Sequence, residues 1–158
     1  MIQRFKYYFL IFILIITIIP FVNCSTEIPE DAFDYLAPPF IISATQNGEF
    51  IDVHFQGTNN EYYFDGYNAY VSITTMLRPT VPALKAVQVK DCGSCIPSRP
   101  LPSGTYNMTI KLYHYYNTEG DPMPFSTGTY YIRLASHHRL LGVNEDGVSN
   151  EKTINFVK

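Results

Sequence analysis

The 158-residue chain contains no tryptophan, only three cysteines and no cluster of lysine or arginine after Lys6. Because a domain that binds nucleic acid needs a basic surface to displace counterions, the last absence argues against a nucleic-acid partner. Residues 24–158 carry 9 basic and 14 acidic side chains, a formal charge of −5. A single domain of this length buries about two thirds of the surface of its unfolded chain, so it can fold without depending on disulfides.

Sequence motifs for catalysis and metal binding are also missing. Glycine-rich phosphate loops, nucleophile elbows and the HExxH metal motif do not occur, and the four histidines are scattered along the chain: His54, His114, His137 and His138. The adjacent pair would point to opposite faces of a strand. We therefore predict no catalytic residues, no metal site and no cofactor, and a protein that is not an enzyme.

The first 23 residues form a segment of a different kind. Arg4 and Lys6 precede an apolar run over residues 7–22, which is the order of the positive and apolar regions of an export signal. The uninterrupted part of this run has 13 residues and ends before Pro20, whereas a membrane-spanning helix needs about 20 apolar residues. We predict that residues 1–23 are an export signal peptide.

Cys24 follows this segment, and the number of cysteines suggests its role. Phe21-Val22-Asn23-Cys24-Ser25 resembles a bacterial lipobox, in which the cysteine is linked to diacylglycerol and becomes the first residue. A lipid on Cys24 leaves Cys92 and Cys95 as an even pair. We therefore favour a membrane partner bound through lipid on Cys24, and a location in the cell envelope. Cleavage without acylation would instead release a soluble secreted protein.

Cys92-Gly93-Ser94-Cys95 predicts a local disulfide in an oxidising compartment. A redox-active pair would need a helix N-terminus to lower the pKa of the first thiol, and Pro97 and Pro100 disfavour a helix there. Closing so short a loop contributes about 2 kcal/mol. The predicted disulfide therefore fixes a loop between two strands and does not build the core.

From Phe40 onward the apolar period is two, as in half-buried strands. Four segments alternate clearly, and Phe55 belongs to the predicted core face of the first: residues 50–55, 67–73, 106–112 and 130–134. Weaker candidates are residues 40–44, 84–89 and 152–157. Turn motifs such as Asn47-Gly48 and Asp65-Gly66 separate the segments. The pattern predicts an all-β, antiparallel, two-sheet sandwich over residues 39–158, preceded by an acidic, proline-containing tether over residues 24–38.

Four motifs follow one another in a suggestive order. Phe55 ends a strand that carries a core tryptophan in one known family, and Gly66-Tyr67-Asn68-Ala69-Tyr70 is similar to that family's Gly-Tyr-x-Val-Tyr strand. Residues 128–136 resemble its E–F corner and F strand, and residues 147–151 its approach to strand G. Over residues 38–158 the chain thus resembles a fibronectin type III domain. The resemblance implies an immunoglobulin-like sandwich and a non-catalytic binding or adhesion module.

A second resemblance leaves another function open. Leu101-Pro102-Ser103-Gly104-Thr105-Tyr106 resembles the Pro-x-Gly-x-Tyr strand start of MD-2-related lipid-transfer sandwiches. A soluble carrier of lipid or of a small molecule would hold a dry cavity between its sheets, whereas an adhesion module would be packed and would present aromatic rings outside. Asn107 begins an N-x-[ST] sequon, for which we favour an ordinary strand residue.

Tyrosines at or near loop ends are the candidates for a binding surface. Part of each tyrosine cluster must belong to the core because strand side chains alternate, and the rest could form an exposed aromatic patch. Such patches anchor protein or carbohydrate partners. The candidates are Tyr62, Tyr63, Tyr113, Tyr115 and Tyr116.

Overall fold

Strands make up half of the region that our computed structural model describes, which is residues 36–87 and 103–158. This region contains β1 (Phe40–Asn47), β2 (Phe50–Gly57), β3 (Phe64–Ser72), β4 (Tyr106–Leu112), β5 (His114–Tyr116), β6 (Pro122–Pro124), β7 (Gly128–His138) and β8 (Lys152–Phe156). A 3-10 helix, Arg78–Ala83, follows β3.

Six of these strands form two antiparallel sheets of three strands each. Their orders are β1-β2-β4 and β3-β7-β8, while β5 and β6 pair with each other. The two orders correspond to A-B-E and C-F-G in an immunoglobulin-like sandwich. The predicted all-β, antiparallel two-sheet architecture is confirmed, and the strand order is compatible with an immunoglobulin-like fold.

The inner faces of the two sheets form one core. Ile51, Val53 and Phe55 of β2 are fully buried, as the alternation of that segment predicts. The ring of Phe55 lies 5.1 Å from that of Tyr67 on the opposite sheet, in an edge-to-face arrangement. The Tyr67 hydroxyl is also 2.8 Å from the hydroxyl of Tyr106 on β4, so a hydrogen bond joins the sheets. Aromatic and phenolic groups thus fill the space between the sheets at this level.

The strand β3 differs from its prediction because both of its faces are covered. Alternation over residues 67–73 places Ile73 on the inner face with Tyr67, and Tyr70 on the outer face; Ile73, one residue beyond β3, is exposed, and Tyr70 is buried. The chain after β3 folds back over the outer face of sheet β3-β7-β8, where Tyr70 packs in a second apolar cluster that also contains Met76, Val81, Ala135 and Val148. Proline at the start and in the middle of the 3-10 helix keeps this covering segment from extending as an α-helix.

The weak strand candidate at residues 84–89 is reduced, within the described part of the chain, to one bridge. Val87 donates its N–H to the carbonyl of Ala69 over 2.7 Å. Two short strands, β5 and β6, were not predicted. At the start of β7, the Tyr130 hydroxyl donates to the carbonyl of Ser126 and accepts from its N–H, both at 3.0 Å. This phenol-to-backbone contact is a tyrosine corner.

Several predictions concern residues outside the described region. They are the export signal at residues 1–23, lipid on Cys24, most of the tether, and the disulfide between Cys92 and Cys95. The last residues assigned to the tether do lie in the described region: Leu36 is 5% exposed in the core, and Ala37 is hydrogen-bonded to Asn59. The packed part of the chain therefore begins no later than Leu36. Within residues 36–87 and 103–158, no helix is long and apolar enough to cross a membrane.

Candidate functional site

A groove of about 460 Å³ lies beside the C-terminal end of β3. Three parts of the chain line it: residues 70–74 in and after β3, residues 83–85 after the 3-10 helix, and residues 115–118 with Gly120 in and after β5. Its volume falls in the range of ligand sites, which are concave and mostly apolar with a few polar groups. We refer to this feature as the groove.

The turn after β5 gives the groove a defined wall. The side-chain oxygen of Asn117 accepts hydrogen bonds from the N–H groups of Glu119, at 3.0 Å, and Asp121, at 2.8 Å. Gly120 completes this turn with a φ of 84°, which is strained for residues with a side chain. The asparagine side chain thereby accepts hydrogen bonds from two backbone N–H groups of the β5–β6 turn.

Lys85 connects the segment after the 3-10 helix with the segment in and after β5 across the groove. Its ammonium group donates to the carbonyl of Gly120 over 3.1 Å and lies 4.1 Å from the centre of the Tyr116 ring. A cation above a tyrosine face is attracted by the negative side of the ring. Lys85 therefore covers one face of Tyr116 and holds the segment after the 3-10 helix against β5.

His114 lies behind Lys85 and Tyr116. Its ring meets Tyr116 edge-on at 5.2 Å, and its buried Nε2 atom has no hydrogen-bond partner. Burial, followed by the positive charge of Lys85, lowers the pKa of His114. The neutral imidazole is thus favoured beside the groove.

The structure separates the predicted aromatic patch into two groups. Tyr115 and Tyr116 line the groove, and both also pack against the core. Tyr113 lies nearby in sequence but packs edge-on against Phe50, with ring centres 4.6 Å apart. Tyr62 and Tyr63 precede β3, whereas the groove begins at Tyr70 near the other end of that strand, so about 20 Å of strand at 3.3 Å per residue lies between them and the groove.

Tyr62 and Tyr63 belong instead to a turn cluster at the other end of the sandwich. Their rings contact each other edge-to-face at 5.1 Å, and Tyr63 is stacked on His138 at 5.4 Å. The carbonyl of Tyr63 accepts the N–H of Arg139, which connects this turn to the one that follows β7. The predicted patch is therefore two distant surfaces.

Ile73, Leu84 and Lys85 are among the groove residues that the sequence did not assign to a site. Ile73 was assigned to the core by alternation, and Leu84 to a strand. Exposed apolar side chains beside tyrosines indicate a binding site, but the sequence does not show that Ile73 and Leu84 are exposed. Lys85 is an isolated charge in the sequence, and only the fold places it over Tyr116.

The remaining histidines lie elsewhere. His54 is on the outer face of β2, where its Nδ1 is 2.7 Å from the Thr109 hydroxyl. His137 is near Asp65, with 3.6 Å between Nδ1 and the carboxylate. His137 is half-buried and His138 buried, as expected for neighbours on opposite faces of a strand. In the part of the chain that the structure describes, no group of three or more His, Cys, Asp or Glu residues could hold a metal ion.

Comparison with known proteins adds no relative. No family model, no curated protein and no solved structure matches this chain.

Proposed function

We propose that the protein is an exported, lipid-anchored, non-catalytic binding module of the fibronectin type III kind, and that its groove binds a segment of another protein. The groove at the end of β3 is the observation that carries this proposal, because it combines a concave shape with exposed apolar and half-buried aromatic side chains. Location in the cell envelope is inferred from the sequence of residues 1–24.

Two features of the fold support the resemblance to fibronectin type III domains. The strand orders β1-β2-β4 and β3-β7-β8 are those of the A-B-E and C-F-G sheets. The Tyr130 hydroxyl is bonded to the backbone of Ser126, which is the contact expected where the E–F corner meets strand F. Residues 128–136, which suggested the family, contain this tyrosine.

The lining of the groove favours a protein partner over a carbohydrate. Ile73 and Leu84 are exposed apolar side chains, and water around them would be released on contact with an apolar partner. Tyr116 already has one ring face covered by Lys85, which leaves less aromatic surface for a sugar ring to stack on. The ammonium group of Lys85 is already bonded to the carbonyl of Gly120. The groove therefore offers a partner mainly apolar side chains and hydrogen-bonding groups.

The core argues against the carrier alternative. A carrier needs an open space between its sheets, and here Phe55 contacts Tyr67 across that space while Tyr67 and Tyr106 are hydrogen-bonded across it. Opening a cavity at this level would require these aromatic side chains to move apart. The observations therefore favour a packed module that binds at its surface.

A photo-crosslinking amino acid at Ile73 tests the groove in intact cells. We expect it to give a discrete protein adduct that Tyr116→Ala weakens. The matched control places the same amino acid at Val157, an apolar residue near the C-terminal end of the chain that is at least as exposed as Ile73. Identical adducts at the two positions, or none at Ile73, would contradict the groove as a protein site. A chemical-shift response of groove residues to soluble oligosaccharides alone would favour a carbohydrate instead.

A separate experiment tests the anchor. Cys24→Ala should move the protein from the detergent phase to the aqueous phase in a phase-separation assay, and the control Cys92→Ala should not. Mass spectrometry of the mature N-terminus distinguishes an acylated Cys24 from a free Ser25. Continued partition of the Cys24→Ala chain into detergent would contradict the lipid anchor.

A further inference from the structure

A cluster of exposed side chains forms one end of the sandwich, opposite the groove. It consists of Tyr62 and Tyr63 before β3 and of Arg139, Leu140 and Leu141 after β7, and we call it the tip. Tyr62 is 69% exposed, Leu140 56% and Leu141 50%. Arg139 connects the two turns that carry these side chains, since its N–H donates to the carbonyl of Tyr63, and such exposed apolar groups on joined turns indicate a surface that contacts something else.

The backbone holds the tip in a fixed shape. His138 and Gly142 exchange two hydrogen bonds of 2.8 Å and so close a three-residue loop that carries Arg139, Leu140 and Leu141. Gly142, with a φ of 75°, supplies the left-handed residue that such a loop requires. The Nδ1 atom of His138 accepts the N–H groups of both leucines at 3.1 Å. The leucine side chains therefore project outward without first having to be ordered.

The chain joins the domain beside this tip. Ala37 donates to Asn59, and its carbonyl accepts the Ser136 hydroxyl at 2.6 Å. Ser136 is three residues from Arg139 along the chain, roughly 10 Å at 3.3 Å per residue. Residues 25–36 can reach at most about 40 Å when extended, so a lipid on Cys24 would hold Ala37 within about that distance of the bilayer.

The chemistry of the tip fits a lipid surface. Tyrosine prefers the boundary between headgroups and acyl chains, leucine partitions into the apolar layer, and arginine reaches back to the headgroups. Arg139 lies 6.0 Å from the Tyr62 ring and 3.6 Å from the Asp65 carboxylate, so the tip brings little net charge to the surface. Its contact would depend on apolar insertion, with no need for anionic lipid.

We infer that the tip inserts shallowly into the outer part of the bilayer to which the chain is anchored. The inference rests on the proposed anchor at Cys24. An anchored domain is present at a high local concentration at its own membrane, so a contact too weak to recruit a free protein is populated. The tip would then set the orientation of the domain.

The absence of tryptophan allows a direct test, because a single introduced tryptophan is then the only source of tryptophan fluorescence. Tyr62→Trp is prepared in the full chain and reconstituted into phosphatidylcholine vesicles with and without bromine-labelled acyl chains, and Ile73→Trp at the groove is the control. Both positions are exposed, so both substitutions should be tolerated. We expect Tyr62→Trp fluorescence to be quenched several-fold more than that of Ile73→Trp, and Leu140→Ser with Leu141→Ser to abolish the difference.

Vesicle flotation separates the failure of this inference from failure of the anchor. A chain that floats with the vesicles and shows equal quenching at both positions would overturn the tip contact and leave the anchor intact. A chain that does not float would overturn the anchor, and the tip contact with it. A tip that binds a protein instead of lipid would also show no quenching, since the vesicles contain no other protein.

Discussion

Asn59→Ala removes a buried side chain that connects the first described residues to β3 and β7 of one sheet. Asn59 is fully buried. Its side chain accepts the N–H of Ala37 and donates to the carbonyl of Ala37, both at 2.8 Å, and it donates to the Ser136 hydroxyl at 2.9 Å and the Tyr67 hydroxyl at 3.3 Å. Alanine can make none of these four contacts.

The expected cost follows from what is left behind. A typical hydrogen bond contributes about 1 kcal/mol net, and a buried polar group without a partner costs about 1–3 kcal/mol. In the variant, the Ala37 carbonyl is still hydrogen-bonded to the Ser136 hydroxyl, and the Tyr67 hydroxyl to that of Tyr106. The N–H of Ala37, by contrast, loses its Asn59 partner. We expect Asn59→Ala to lower the free energy of unfolding by about 2–4 kcal/mol.

Asn150 offers a matched control. Its side chain makes the same pair of contacts with Ile41, accepting the N–H at 2.8 Å and donating to the carbonyl at 3.0 Å, and within the described part of the chain it makes no contact with a hydroxyl group as Asn59 does. Asn150 is half-buried. Urea denaturation at neutral pH should therefore show a smaller loss for Asn150→Ala than for Asn59→Ala. Equal losses, or a loss below about 0.5 kcal/mol for Asn59→Ala, would refute the reasoning from unsatisfied buried groups.

Three further predictions follow from the core, the cysteines and the groove. Phe55→Ala should lower the free energy of unfolding by about 3–5 kcal/mol, because it opens a cavity beside Tyr67; a near-neutral denaturation curve would contradict the packing described. Reduction of the predicted Cys92–Cys95 disulfide should cost at most about 2 kcal/mol, and unfolding on reduction under mild conditions would show that the core depends on it. Because the folded pKa of His114 is lowered, the unfolded chain binds more protons below the unfolded value of about 6.5, and stability should fall as the pH falls through that value. His114→Gln should reduce this acid sensitivity in pH-dependent denaturation, and an unchanged slope would contradict a role for His114.

The sequence predicts those parts of the fold that have one buried face. Alternation identifies β2, β4 and β7 and places Phe55 in the core because each strand faces the opposite sheet on one side. The same rule misassigns Ile73 and Tyr70. The segment that covers the second face of β3 includes a proline-containing 3-10 helix, which has no apolar period, and so the covering could not be foreseen. β5 and β6 have three residues each, too few for a period to appear.

The candidate site was predicted only by residue type. Tyr115 and Tyr116 line a surface groove, whereas Tyr62 and Tyr63, which were grouped with them by residue type, lie at the other end of β3. Which loops meet is decided by strand pairing: the register of β3 with β7 places Phe64 opposite His138 and Ser72 opposite Tyr131. The first pair fixes the end that becomes the tip, and the second the end that carries the groove.

This register also relates the two proposals. β3 extends about 26 Å from Phe64 to Ser72 at 3.3 Å per residue, with the tip before its first residue and the groove at its C-terminal end. The chain joins the domain on the tip side, through Ala37 and Asn59. An anchor that held the tip against the bilayer would therefore direct the groove away from the membrane, where a soluble or surface-borne protein could reach it. Ile73→Asp should then impair capture of the partner without reducing quenching at the tip, whereas coupled loss of both would show that the two ends are not independent.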